Sequence, residues 1–139
     1  MRSGEDGQAL VESVLLGVVL LLPIVWILMV LADVHRVALA STSAAREAGF
    51  DASRTRDMRT ADRSIDAAIR LAFDNHELDG DEATVRWSAP DGLERGATVE
   101  VNVSYPVQVV RIPLVGDVAG PSVWVRSSHV ARVDPFASR

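Results

Sequence analysis

Hydrophobic and polar positions are unevenly distributed along the 139 residues. Residues 14–32 read VLLGVVLLLPIVWILMVLA, without a single charge. At about 1.5 Å of rise per residue, a helix of this length spans the roughly 30 Å of a bilayer core. One transmembrane helix is predicted. It should continue through DVHRVALASTSAAREAGF, residues 33–50, because alanine favours helix and neither Gly nor Pro intervenes before Gly49. Pro23 removes one backbone donor inside the apolar run and predicts a bend.

After a polar connector at residues 51–59, the segment TADRSIDAAIRLAFDNHELDG places Ala61, Ile65, Ala68, Ile69, Ala72 and Phe73 on one stripe of a second helix. Thr60 is the expected N-cap and Gly80 lies near the expected stop. The period then changes to two. Residues 83–89 read as a strand, Pro90-Asp91-Gly92 begins a turn, and residues 97–105 alternate, with Val99, Val101, Val103 and Tyr105 inward against Thr98, Glu100, Asn102 and Ser104. That pair is a predicted hairpin. Residues 107–112 should continue the sheet after Pro106, and residues 122–133 supply a last strand containing Val123, Val125 and Ser127, with a phase change near Ser128. Residues 134–139 read as a frayed tail. The expected fold class is α+β: a long N-terminal transmembrane helix extending into an Ala-rich helix, a second helix, and a small antiparallel sheet packed against the helical layer.

Composition narrows the function classes. The chain is 48% hydrophobic and 24% charged, and the apolar excess sits in its first quarter, so the remainder is long enough for one modest core. Net charge is −5 and no basic block tracks a phosphate backbone, which argues against nucleic-acid binding. With no cysteine there is no disulfide, no thiolate metal site and no cysteine nucleophile. His35, His76 and His129 lack metal-site spacing and read as surface or packing residues. In DNHELDGDE, residues 74–82, aligning Gly80 with the glycine of a calcium loop puts Arg86 where the bidentate acid belongs, so the stretch reads as a solvated helix end. No hydroxyl has a nucleophile-elbow context, and Trp87 and Trp124 read as core or sheet-face residues rather than a sugar or base platform. No catalytic residue, metal or cofactor is expected.

One residue is out of place: Glu12, at the edge of the apolar run, where an unpaired carboxylate costs several kcal/mol. A cleaved secretory signal is one account of the N-terminus, with Ala38-Leu39-Ala40 before Ser41 as the site. The apolar run is too long for it, and Asp33, His35 and Arg36 intervene. An uncleaved signal anchor is a second account, and flanking charge leaves its orientation undecided, because Arg2 is offset by Glu5 and Asp6 while Arg36 follows the span. Neither explains Glu12. The polar leader of residues 1–7 ends in Gly7, Gln8-Ala9-Leu10-Val11 follows, and Glu12 falls five residues after the glycine. This order resembles the type IV prepilin processing site, which a membrane aspartyl peptidase cuts after the glycine, leaving an acid at position five of the mature chain. The resemblance implies cleavage between Gly7 and Gln8, and a new ammonium at Gln8 able to pair with Glu12 of a neighbouring subunit in a helix bundle.

Ala40, Ala44 and Ala48 share one helical face, with Ser41 and Ala45 beside them. Two roles stay open for that stripe: close approach of another helix, or contact with a small local core. The leader, the G-x-A-L-V-E pattern, the apolar span and Ala44-Ala45-Arg46-Glu47-Ala48-Gly49 together resemble the TadE-like family of minor pilins, or pseudopilins, of the tight-adherence (Tad, Flp) pilus systems, over roughly the first 50 residues. Several relatives carry cysteines in the outer domain and this chain has none. The resemblance implies a non-enzymatic subunit for assembly or initiation of a Tad-type type IV pilus, held in the bacterial cell membrane by a single pass with its C-terminal domain outside. Its implied partners are a prepilin peptidase, other pilins and minor pilins, the inner-membrane assembly platform and the lipid bilayer. The expected organisation is a leader at residues 1–7, a transmembrane and helical spine at 8–50, and an extracytoplasmic α+β domain at 51–139. The alternative is an unprocessed signal-anchored receptor or sensor domain that binds a soluble ligand.

Overall fold

The computed structural model describes the backbone of residues 3–109 and 120–135, with side chains from residue 7 onward. Its elements are helix α1 (Ser3–Arg54), helix α2 (Met58–Asp74), a 3-10 turn (Gly80–Glu82), and strands β1 (Thr84–Ser88), β2 (Thr98–Gln108) and β3 (Ser122–Arg132). The arrangement is α+β. Two compact units divide the chain, residues 1–33 and 34–139, and α1 contributes to both.

The described residues of the first unit are all helical. Pro23 lies inside it without ending it. From Leu10 to Leu31 the large apolar side chains are exposed on every side of the helix, with only Val30 half-buried. Such a surface has no protein core to enter. In lipid it satisfies its backbone internally and its side chains externally, and this helix is long and apolar enough to cross a membrane.

In the second unit α1 changes from all-round apolar to one-sided. Val37, Ala40, Ala44, Ala45, Ala48 and Ala52 are buried at three- and four-residue intervals, with Ser41 among them, while Leu39 and Phe50 face outward. The opposing layer is the sheet. A Cβ placed on Gly49 would stand 3.1 Å from His129 Cδ2 and 3.3 Å from the Ala131 Cβ, so the missing side chain lets α1 and β3 approach. Helix α2 adds the same six residues that its periodicity predicted: Ala61, Ile65, Ala68, Ile69, Ala72 and Phe73.

The ends of α2 differ from expectation. Asp57, not Thr60, is the N-cap, and the Thr60 N–H donates to Asp57 Oδ1 at 2.9 Å. Hydrogen bonds from Thr60 hold the Asp57 carboxyl below the usual range. Both residues suit a cap, but Asp57 stands three positions before the amide that needs an acceptor. At the other end, Glu77 takes a left-handed φ of 56° and the Leu78 N–H reaches back to the Phe73 carbonyl at 3.0 Å. That closure ends α2 before Gly80. Gly80 instead lets the 3-10 turn lie against α2, since a Cβ there would meet Arg70 Cα at 3.0 Å.

The three strands pair antiparallel in the order β1-β2-β3. Central β2 buries Val99, Val101, Val103, Tyr105 and Val107 and continues through Pro106 to Gln108. Because β1 ends opposite Ser104, β2 is paired on one side only at Pro106, where a missing donor is tolerated. The expected continuation at residues 110–112 lies outside the described residues, as does most of the tail, residues 136–139. In β3 the expected phase change is absent. Val125, Ser127, His129 and Ala131 alternate toward the core up to buried Val133, while Trp124 and Val130 face outward. Small and polar groups suffice on the inner face because the small-residue side of α1 comes so close; Ser127 Oγ lies 3.4 Å from Thr42 Oγ1.

Tyr105 closes one end of the core. Its ring stacks on Phe73 at 4.8 Å between centroids, with 5% of the residue exposed. Burial, reinforced by the neighbouring Glu82 carboxylate, pushes its phenol up to about 12. At the other side, Trp87 Nε1 donates to Asp62 Oδ1 at 3.0 Å and ties β1 to α2.

Because the compact unit begins at residue 34, the expected boundary at 50/51 would cut through the core. The buried alanines of α1 are one of its walls. A fragment of residues 34–139 is expected to melt cooperatively, whereas one starting at residue 51 should show a broad transition or none by circular dichroism. A sharp melt of the shorter fragment at a similar temperature would contradict this packing.

The protein has a single tyrosine, so an ultraviolet titration reads Tyr105 alone. It should ionise near 12 in the folded chain and near 10 after denaturation. A raised phenol pKa stabilises the fold fully below pH 10, and that contribution is lost as pH climbs toward 12. Ionisation at 10 in the folded protein would remove Tyr105 from the core.

Candidate processing and assembly segment

Gly7, Gln8 and Glu12 all lie in the helical backbone of α1, with exposed side-chain positions. Gly7 has no heavy atom within 4 Å of where a Cβ would sit, and no left-handed backbone there requires glycine. In a helix interior glycine costs about 1 kcal/mol relative to alanine. Among the described residues, then, neither packing nor backbone geometry calls for a glycine at position 7.

Glu12 stands one turn below Gln8, in i, i+4 relation on one helical face, and helical side chains lean toward the N-terminus. Among the described residues no basic group lies within ion-pair distance of it. Ser13, beside it, donates its hydroxyl to the Ala9 carbonyl at 2.8 Å, the internal satisfaction expected of a hydroxyl at the start of an apolar helix. If residues 1–7 were removed, Glu12 would fall just inside the first turns of the shortened helix. There its charge opposes the partial positive charge of the terminus.

The helical state has a consequence for cleavage. Proteases take extended backbone, so a peptidase acting between Gly7 and Gln8 would require the helical backbone there to unwind. Helix ends fray readily, and glycine lowers the cost of unwinding at that bond.

The third group of expected assembly residues belongs to the other compact unit. Ala40, Ala44 and Ala48 are each 0% exposed, inside the same core as Val99, Val101 and Phe73. Of the two roles open to the stripe, the chain itself supplies the local core. That face is occupied, and the outward side of this part of α1 carries Leu39 and Phe50 instead, Phe50 lying beneath the Arg54 guanidinium at 4.0 Å.

Several of the other residues weighed for chemistry have local duties. Asp79 Oδ1 accepts from the Asp81 N–H at 2.9 Å, and Asp81 pairs with Arg70 at 3.0 Å on the surface. The acidic stretch thus stabilises the exit from α2. His129 packs against the glycine gap on α1. Gly49 is the residue whose part was missed: in the sequence it reads as the first glycine after the apolar span and as the end of the Ala44–Gly49 motif, although a glycine inside a helical pattern can mark a close approach.

No family model, no curated protein and no solved structure matches the chain.

Proposed function

We propose that this chain is a minor pilin-like subunit of a Tad-type type IV pilus, cut after Gly7 by a prepilin peptidase and held in the membrane by α1 until it joins an assembly. One observation carries the reading. Among the described residues nothing packs where a Gly7 side chain would sit and nothing pairs with the Glu12 carboxylate, yet the two sit five residues apart at the entrance of a helix able to cross a membrane. A glycine that packing does not need and a carboxylate without a partner are explained together if the first serves a protease and the second awaits a charge.

The mechanism is assembly rather than catalysis. Removing residues 1–7 creates an ammonium at Gln8. In a dry bundle of helices that ammonium and the Glu12 carboxylate of an adjacent subunit neutralise each other, which fixes the axial register of the two helices. The exposed apolar surface of residues 10–31 holds the subunit in lipid until helix-helix contacts replace lipid contacts. The packed unit of residues 34–139 is carried on the outer side of the membrane.

The processing step is tested by mass spectrometry of the chain co-expressed with a prepilin peptidase. The mature protein should begin at Gln8, and Gly7→Val should keep the full leader, because a β-branched residue stiffens the backbone at the cut while meeting nothing in the fold. An N-terminus at Met1 in both samples would leave the anchored receptor as the better reading.

The pairing step is tested with Glu12→Ala. The variant should remain in the membrane fraction, since the segment only becomes more apolar, and should still be cut. Recovery of partner pilins on co-purification should fall at least tenfold. Undiminished recovery would reduce Glu12 to an interfacial charge.

A further inference from the structure

The face of the sheet turned away from the core is chemically uneven. Alternation directs Thr84 and Arg86 of β1, Asn102 and Ser104 of β2, and Trp124 and Arg126 of β3 to that side, where they line a hollow of about 460 Å3. The register orders them. Thr84, Ser104 and Arg126 form one cross-strand row, Arg86 and Asn102 are opposite each other in the next, and Trp124 is opposite Pro106 at the apolar end.

Three features distinguish this hollow from an ordinary solvated face. Trp124 is 50% exposed, so a flat aromatic surface remains uncovered beside a polar floor. Among the described residues neither Arg86 nor Arg126 has a carboxylate within ion-pair distance. The nearby acid on this face, Glu100, is engaged by Asn102 Nδ2 at 3.0 Å, which orients that amide and leaves its oxygen to accept. Two unpaired guanidiniums on a protein of net charge −5 mark a local reversal of sign.

We infer that this face binds an anionic saccharide, specifically an oligosaccharide containing uronic acid. The juxtaposition fits each part of such a ligand. One face of a pyranose ring is apolar C–H and lies on an indole. Its hydroxyls both donate and accept, as do Thr84 and Ser104, while Asn102 supplies an acceptor. Its carboxylate is planar and matches the two-pronged donor of arginine. The hollow also falls within the volume range of small-molecule sites. Charge selects against a neutral sugar. An acidic peptide would use the arginines and leave the indole idle, and two arginines are too few to track a nucleic-acid backbone. The proposal is independent of cleavage at Gly7 and of assembly through Glu12.

The test is isothermal titration calorimetry on the full chain in detergent micelles, with trigalacturonate, maltotriose and hexaglutamate as ligands. Trigalacturonate should bind saturably, with Kd about millimolar or tighter, and more weakly as salt rises. Maltotriose and hexaglutamate should each bind at least tenfold more weakly. Arg126→Gln, Arg86→Gln and Trp124→Ala should each weaken trigalacturonate binding tenfold or more. Thermal melting checks that the variants are folded; should Trp124→Ala lower stability, the two arginine variants carry the test. Failure of trigalacturonate to saturate, equal binding of either comparison ligand, or full binding by Arg126→Gln would overturn the proposal.

Discussion

The fold of residues 34–139 depends on the closeness with which α1 approaches the sheet. Ala40, Ala44, Ala45, Ala48 and Ala52 carry only a methyl group, and Gly49 carries nothing where α1 crosses His129 and Ala131. The core is consequently thin along β3. Its bulk lies instead where α2 contributes Ile65 and Phe73 and β2 contributes Val99, Val101, Val103 and Tyr105. A larger residue on this side of α1 would push the helix away from the stretch of β3 where Ser127, His129 and Ala131, following Val125, face the core.

That contact also explains why one helix serves two solvents. Before residue 34 the apolar side chains of α1 face every direction and find no protein to cover them. Beyond it, one side is buried alanine and the other is polar, with Leu39 and Phe50 as exceptions. A change in the hydrophobic pattern, without a change in backbone conformation, converts a segment suited to lipid into the wall of a soluble core. The apolar segment and the helical wall of the core thus belong to one continuous helix, Ser3–Arg54. In the pilus reading, Gly7 and Glu12 lie in the part of that helix where folding imposes the fewest demands. The two faces of the sheet divide in the same way: the inner face packs into the core, and on the outer face Arg86, Trp124 and Arg126 line the hollow, neither arginine having an ion pair among the described residues.

The amino-acid sequence by itself determined the elements whose signal is local. The uncharged run at residues 14–32, the six buried positions of α2 and the alternation of β2 from Val99 to Tyr105 all follow from which residues recur at a period of 3.6 or 2. The candidate pair Gly7 and Glu12 was legible for a similar reason, since its signal is a spacing. Tertiary structure decided what periodicity does not encode, namely which partner covers a face. The stripe of Ala40, Ala44 and Ala48 suits another helix as well as a sheet, and only the fold placed it in one core with Val99, Val101 and Phe73. In β3, hydrophobicity alone would keep Ser127 in phase with Val123 and Val125 and then, past Ser128, turn Val130 inward and His129 outward. The register with β2 reverses this, because every residue of a strand takes its face from its neighbours' pairing. The ends of α2 were likewise settled in the structure: Asp57 rather than Thr60 caps it, and it stops at Asp74, with the chain turning at Glu77 before Gly80 is reached. The outer hollow joins residues from three strands as far apart as Thr84 and Arg126, so it exists only once the strands are paired.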